Sequence, residues 1–536
     1  MFQKKRLWSV YALLLLVALG FRLFIALRLP NDEPDDGKVY AQIANNVLEQ
    51  HVYSHETQAP YVPSIIRLPG YPLFLAAIYK VFGHGNNTAV RVVQAVIDTL
   101  TCVLIALVAF EWGVDERKHR AALVAFALAA VCPFTAIYVA TILTEVLTNF
   151  LAVAMVLTAT WAFKATDLKR ALVWWAVSGL IVGLAVLFRP DSGLFAAAVG
   201  ATLVFGFVWQ RSFKRLVLSA ALFSFVFCLV LVPWTIRNYR AFHLFQPLAP
   251  AHGEMPGEFV PRGYLLWLRT WLDDSRYVGP VLWSVDTQPL RITDFPDRAF
   301  DSKEERERVA ALLDKYNNSS SSVDEDTQQN DDSEQQDNDE QNQKDDEQNQ
   351  DEDDSGDEEQ QPQSEEVNVE MTPEIDAGFA QIGQERVARS RFRYYVVMPF
   401  KRAMTLWADT HSQYYPFNGE LLPLKDLDYD IHQQYWLPLF AALTAIYSLL
   451  GVVGAVLLWF SRAPGARRWV LLAALLMFLR LGFFATLENP EPRYAVELFP
   501  FLIILAGAGA SVIKASAKVS DSDAAPTVDA APTVER

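Results

Sequence analysis

The sequence predicts an all-α polytopic membrane protein of about ten transmembrane helices, with a mixed external soluble region that a disordered acidic insert interrupts. Three observations predict it. Of the 536 residues, 52% are hydrophobic and 12% aromatic, more than water-soluble domains usually sustain. Several windows of roughly 20 residues are almost free of charge, which is the length and composition a bilayer crossing requires. The loops between these windows alternate in character, basic and then acidic or aromatic, as the positive-inside rule asks.

The net charge of −16 comes from one place. Between Asn317 and Glu370 stand 22 Asp and Glu against one Lys, so the rest of the chain is mildly basic. The acidic total therefore says nothing about a basic partner of the core, and no nucleic acid is expected. Cys102, Cys132 and Cys228 lie inside apolar runs and suggest neither a disulfide framework nor a zinc site.

Taken in order, the first crossing, at roughly 7–29, reads as an uncleaved anchor. Its apolar run is too long for a signal peptide, and no small-residue cleavage site follows. The other nine fall at roughly 88–110, 120–138, 142–163, 171–188, 191–209, 215–235, 435–460, 468–487 and 494–514. The loops MFQKKR, DERKHR, KATDLKR, QRSFKR, SRAPGARR and KASAK are all rich in Lys and Arg and are assigned to the cytoplasm. Both termini are then expected there, in a multi-pass inner (plasma) membrane protein. The stretch 70–83, GYPLFLAAIYKVFG, is too short to cross comfortably, and counting it would invert every later loop. It is expected to lie in the interface or to re-enter from the outer side.

The external region, 237–434, opens with strand-like, turn-rich stretches around 263–283 and continues with helical patterns at 303–316 and 372–410. Between these helices the Ser-, Asp-, Gln- and Asn-rich tract 317–370 has almost nothing apolar to bury, so disorder is expected. The chain thus divides into an N-terminal transmembrane part (1–236, with a first external loop at 30–87), the external region, C-terminal spans (435–515) and a disordered tail (516–536).

The first external loop carries the chemistry. Its opening, PNDEPDDGKVYAQIANN at 30–46, holds Asp32, Glu33, Asp35 and Asp36. An amphipathic helix follows, with Val39, Ile43 and Val47 four residues apart and Tyr40 beside them. These acids are either a solvated loop with Asp36 as the helix N-cap, or they include a general base working at the membrane–water boundary. The topology gathers further charges at the same depth: Arg67 in the same loop, then Glu145, Arg189, Arg237 and Arg493. Any one arginine there is explained by snorkelling to headgroups. Six separate pieces, on the side where basic residues are otherwise sparse, together predict an anion site, and guanidinium forks suit a phosphate because they bond it bidentately.

Arg22, Asp98 and Arg480 lie deeper within crossings. A structural role is expected for all three, with Arg22 and Asp98 as an ion pair. RLPGYP at 67–72 forms a rigid corner that sets Tyr71 at the interface. DLDYD at 426–430 matches a metal motif of nucleotide-sugar enzymes only superficially and reads as a linker. His411 and His432 have no partner at ligand spacing, and neither a metal nor a cofactor is expected.

With these residues in view, the chain resembles the GT-C superfamily of membrane glycosyltransferases. Within it, the likeness is to bacterial relatives of the dolichyl-phosphate-mannose–protein mannosyltransferases and the lipid A aminoarabinose transferase. The likeness is carried by Asp36 four residues before Tyr40, by RLPGYPLFLA, LTE at Glu145, LFRP at Arg189, PWTIRN at Arg237, and PEPRYAVELFPFLI with Arg493 and Tyr494. The resemblance implies transfer of a sugar, with inversion, from a polyprenyl-phosphate-linked donor to an acceptor protein, lipid or glycan at the external face. Asp36 is then the base. Arg189, Arg237 and Arg493 are candidates for the donor phosphate, and Glu145 for positioning the sugar or an arginine. Many relatives have an Asp-Glu pair where this chain has Asp36-Gly37, which leaves Asp35, or Asp32 with Glu33, able to share the role. An oligosaccharide ligase or polymerase of the same fold is the nearest alternative. A transporter of lipid-linked sugar or anions is another, although its ionisable groups belong nearer the midplane.

Overall fold

The computed structural model describes residues 2–29, 35–210, 212–319, 369–409 and 429–513, and every regular element among them is helical. Among the described residues, eight helices are long and apolar enough to cross a membrane. Seven of them lie within α1 (Phe2–Arg28), α4 (Asn87–Trp112), α7 (Glu145–Lys164), α8 (Leu168–Phe188), α10 (Phe213–Phe242), α15 (Tyr429–Phe460) and α16 (Ala466–Ala485). The eighth is the run Pro492–Ala510, in which a 3₁₀ segment, Pro492–Leu498, leads into α17 (Phe499–Ala510).

The two other expected crossings also have helical counterparts. One is α5 (Lys118–Ala130), which continues through the four-residue α6 (Pro133–Ala136) after a 54° bend. Pro133 explains the break, since it lacks the N–H that an uninterrupted helix would use. The other is α9 (Gly193–Gln210), whose apolar stretch is shorter than a full span.

The stretch at 70–83 forms α3 (Gly70–Phe82), a helix of 13 residues that packs on α2 (Asp35–Glu49) and does not span. Only glycine fits at its start: a Cβ on Gly70 would stand 2.6 Å from the carbonyl oxygen of Leu187 in α8. The corner bearing Arg67 and Tyr71 is thereby fixed against the spans.

Between the spans, small residues let backbones approach closely. Alanine-rich α5 lies between α4 and α17, and a Cβ on Gly509 of α17 would come within 2.3 Å of the Gly454 Cα in α15. Arg22 and Asp98 form the expected buried pair, Nε to Oδ2 at 2.6 Å, and Arg22 also donates to the carbonyls of Ala129 and Ala130. These carbonyls sit at the end of α5 just before the bend, and Arg22 supplies them with charged donors there.

The strand-like expectation for 263–283 is not met. This stretch forms α11 (Arg262–Arg269), 3₁₀ and π turns, and no strand occurs among the described residues. Its start is capped from far along the chain. The Asp376 carboxylate, in α13 (Pro373–Arg389), accepts from the backbone N–H groups of Gly263 and Tyr264 at 3.0 and 2.8 Å. Tyr264, Trp267 and Trp271 of this stretch join Phe295 and Phe379 in a core, closed by α12 (Lys303–Asn317). Residues 320–368, where most of the acidic insert falls, and the tail from 514 lie outside the described residues, as do His411, most of DLDYD and the side chain of His432. The flanks of the insert meet: the Glu370 N–H donates to Ser319 Oγ at 3.0 Å.

Candidate active site

Helix α2 begins at Asp35, which places Asp36 in its first turn and not at the cap expected from the sequence. There its carboxylate is still favoured by the helix N-terminus. It is gripped by two arginines that the sequence places far apart. Arg67 Nη2 donates to Oδ1 at 2.8 Å and Arg493 Nη2 to Oδ2 at 3.2 Å. Burial alone would raise this carboxyl, but Arg493 and Arg67 outweigh it and hold Asp36 below the usual carboxylate range. Asp36 nevertheless remains 31% exposed, against 11% for Arg493, so an incoming group can reach it. The side chain of Asp35, and Asp32 and Glu33, lie outside the described residues.

Aromatic rings line this clamp. The Arg67 guanidinium lies over Tyr40, which meets Tyr71 edge-on at 5.1 Å, and the Tyr71 hydroxyl donates to Gln94 Oε1 at 2.9 Å. Burial first, and Asp36 second, push the Tyr40 phenol up to about 12, so it stays a neutral hydrogen-bonding group. Beyond Arg493 stands Glu491, paired with its Nε at 2.6 Å. Burial raises the Glu491 carboxyl despite Arg493. Arg493 thus spans two acids whose carboxyls are shifted in opposite directions, Asp36 down and Glu491 up.

Tyr494 connects this clamp to a second cluster. Its hydroxyl receives Arg493 Nη2 at 3.2 Å, and the Arg189 guanidinium lies over its ring at 5.3 Å. Arg189 is heavily committed, to Glu145 at 2.8 Å, Asp191 at 3.1 Å and Glu497 at 3.9 Å. Arg480 closes the network from α16 by pairing with Asp191 and, at 2.8 Å, with Glu497. Three buried carboxylates share two guanidiniums here, an arrangement held together by mutual compensation and costly to break from one side.

The structure therefore brings Asp36, Tyr40, Arg67, Tyr71, Glu145, Arg189, Arg493 and Tyr494 into one continuous set at one end of the bundle. Arg237 is one step removed. Its guanidinium donates to the carbonyls of Ser64 and Tyr53 at 2.7 and 3.2 Å and lies among the rings of Tyr53, Trp234 and Phe242. It braces the loop that carries Arg67, since the Tyr53 hydroxyl donates to the Arg67 carbonyl at 3.1 Å. Sequence reasoning assigned Arg480 a structural role and did not single out Asp191, Glu491 or Glu497. A signal was present: each of these acids stands two to four residues from a candidate arginine, inside or beside an apolar run where an unpaired charge is expensive.

The loop 249–258 lies beside the clamp. A Cβ on Gly253 would sit 3.2 Å from Arg67 Nη1, and Met255 touches Ser64. Arg269 of α11 reaches Glu488, just ahead of the Arg493 segment, at 2.6 Å. The α11–α13 layer is thus anchored to the chain segment that leads into Arg493.

The fold defines a class, polytopic helical membrane proteins, here with carboxylates and guanidiniums paired at one end of the bundle. Residues 63–236 match the family model for dolichyl-phosphate-mannose-protein mannosyltransferase, and the resemblance carried by the motifs holds over this segment. Curated protein sequences give no significant match. Among solved structures, the oligosaccharyltransferase of Archaeoglobus fulgidus is similar at 15% identity and a TM-score of 0.47, over 95% of this chain and 49% of that one. ArnT from Cupriavidus metallidurans is similar at 15% identity and a TM-score of 0.36, over 94% of this chain and 77% of that one. The chain spans about half the length of the archaeal oligosaccharyltransferase.

Proposed function

We propose that this protein is an inverting glycosyltransferase that moves a sugar from a polyprenyl-phosphate-linked donor to a hydroxyl or amine acceptor at the non-cytoplasmic face of the membrane. The observation that carries this reading is the Asp36 carboxylate, reachable from outside and held between Arg67 and Arg493.

Asp36 takes the acceptor proton as the acceptor attacks the anomeric carbon. The bond from that carbon to the phosphate oxygen breaks, and its electron pair leaves with the polyprenyl phosphate. Arg67 and Arg493 meet the charge that gathers on this leaving group. The same two arginines hold Asp36 ionised, at the expense of its basicity. A donor phosphate that draws them away restores the proton affinity of Asp36, so the base strengthens only when donor is bound. Arg189 is already balanced by three acids. Its contribution is to hold Tyr494 and the Arg493 segment in place, with Glu145 buttressing it.

In vesicles supplied with labelled polyprenyl-phosphate sugars, Asp36→Asn is expected to abolish transfer while donor binding and the thermal transition persist. Turnover at or near the wild-type rate in that variant rejects Asp36 as the base.

A further inference from the structure

The segment 390–408 comprises a π turn, Arg393–Val397, and α14, Met398–Ala408. Its two faces differ sharply. Met398, Arg402 and Leu406, four residues apart, are buried. Arg402 fastens this face by donating to the carbonyls of Leu272, Arg269 and Ala485, and Leu406 packs with Phe484 and Ala485 at the end of α16. The opposite face carries Phe392, Val396, Phe400 and Met404, also four residues apart, with exposures of 69, 49, 66 and 50%, and Tyr395 beside them at 66%. The polar flank turns toward the α11–α13 layer, where Arg393 pairs with Asp301 and Lys401 with Asp273.

The depth of this segment is fixed by Trp407. Its Nε1 donates to Ser448 Oγ at 3.1 Å, and its ring stacks on Phe499 at 5.5 Å. Ser448 lies near the middle of the apolar run Pro438–Phe460, twelve residues or about 18 Å from its Phe460 end at ~1.5 Å per residue. Trp407 therefore reaches well below the edge of a hydrocarbon layer about 30 Å thick. An aromatic strip this open, continuous with the spans on which it packs, has the form of an interfacial amphipathic helix.

We infer that 390–408 is embedded in the leaflet on the Asp36 side of the membrane, with Phe392, Val396, Phe400 and Met404 among the acyl chains. The helix also packs on the Pro492–Leu498 segment, so leaflet lipid comes within one helix of Arg493.

The test is spin labelling of the full chain in vesicles of phosphatidylethanolamine and phosphatidylglycerol. Single cysteines at Phe392, Phe400 and Met404 are introduced in a Cys228→Ser background, Cys102 and Cys132 being buried. Oxygen, which concentrates in acyl chains, is expected to relax these labels several-fold more than a water-soluble nickel chelate does. A label at Lys315 on α12 should show the reverse order. Labels at Phe392 and Phe400 relaxed mainly by nickel overturn the inference. So does shielding from both reagents, with or without spin–spin broadening, which would place protein or a second copy on the strip. Three positions keep the test decisive should one variant fail to fold.

Discussion

At the scale of single residues, the acids around Arg493 make opposite demands on pH. The folded-state carboxyl of Asp36 is depressed, so its stabilisation is present above the usual carboxylate range and is lost as pH falls below it. Glu491 is raised by burial, so its stabilisation is present at acid pH and is lost as pH climbs through its folded-state value. Thermal denaturation across pH should therefore show Asp36→Asn flattening the acid limb and Glu491→Gln flattening the decline above the usual carboxylate range. Asp98 gives a starker case. Removing it with Asp98→Ala leaves Arg22 charged and fully buried, which is expected to cost about 3–5 kcal/mol, while Arg22→Met with Asp98→Leu should recover most of that loss in denaturation experiments. The Asp98 pairing could be read in the sequence because two charges within apolar runs have few partners to choose from. Glu491 and Glu497 were harder to see, because an acid close to an arginine in sequence does not reveal which way either side chain points.

At the scale of elements, hydrophobic windows and loop charges located the spans, since the length of a bilayer crossing leaves little freedom. They did not reveal which helices touch, and that is set by small residues. Valine at Gly509 would drive its side chain into the Gly454 backbone, and a cost of about 1–3 kcal/mol is expected from the overpacking. Gly482→Ala, with nothing within 4 Å of the added carbon, should leave the melting temperature unchanged. The strand-like reading of 263–283 failed for a different reason. That reading used local sequence alone, whereas the helix there is capped by Asp376, more than a hundred residues away. The helical pattern of 372–410 was legible, but its division into a face packed on the spans and an open aromatic face depends on where Arg402 is anchored.

At the scale of the molecule, the acidic tract behaves as an addition to a fold that closes without it. Its flanks meet at the Ser319–Glu370 hydrogen bond, so joining them through a short glycine-serine linker asks little of the rest of the chain. Replacing 322–366 with such a linker is expected to leave the melting temperature within about 2 °C of wild type and sugar transfer intact, both measured on the purified protein.

The clamp itself is assembled from opposite ends of the polypeptide, since Asp36 and the Arg493 that grips it are 457 positions apart. A ribosome making this protein releases Asp36 early and supplies Arg493 only after most of the spans have been made. Until then Asp36 lacks one of its two guanidiniums, and Tyr494 and Glu497 are missing as well. On the function proposed above, a nascent chain still lacking Arg493 is inert toward lipid-linked sugars, and competence arrives only once that residue joins the clamp.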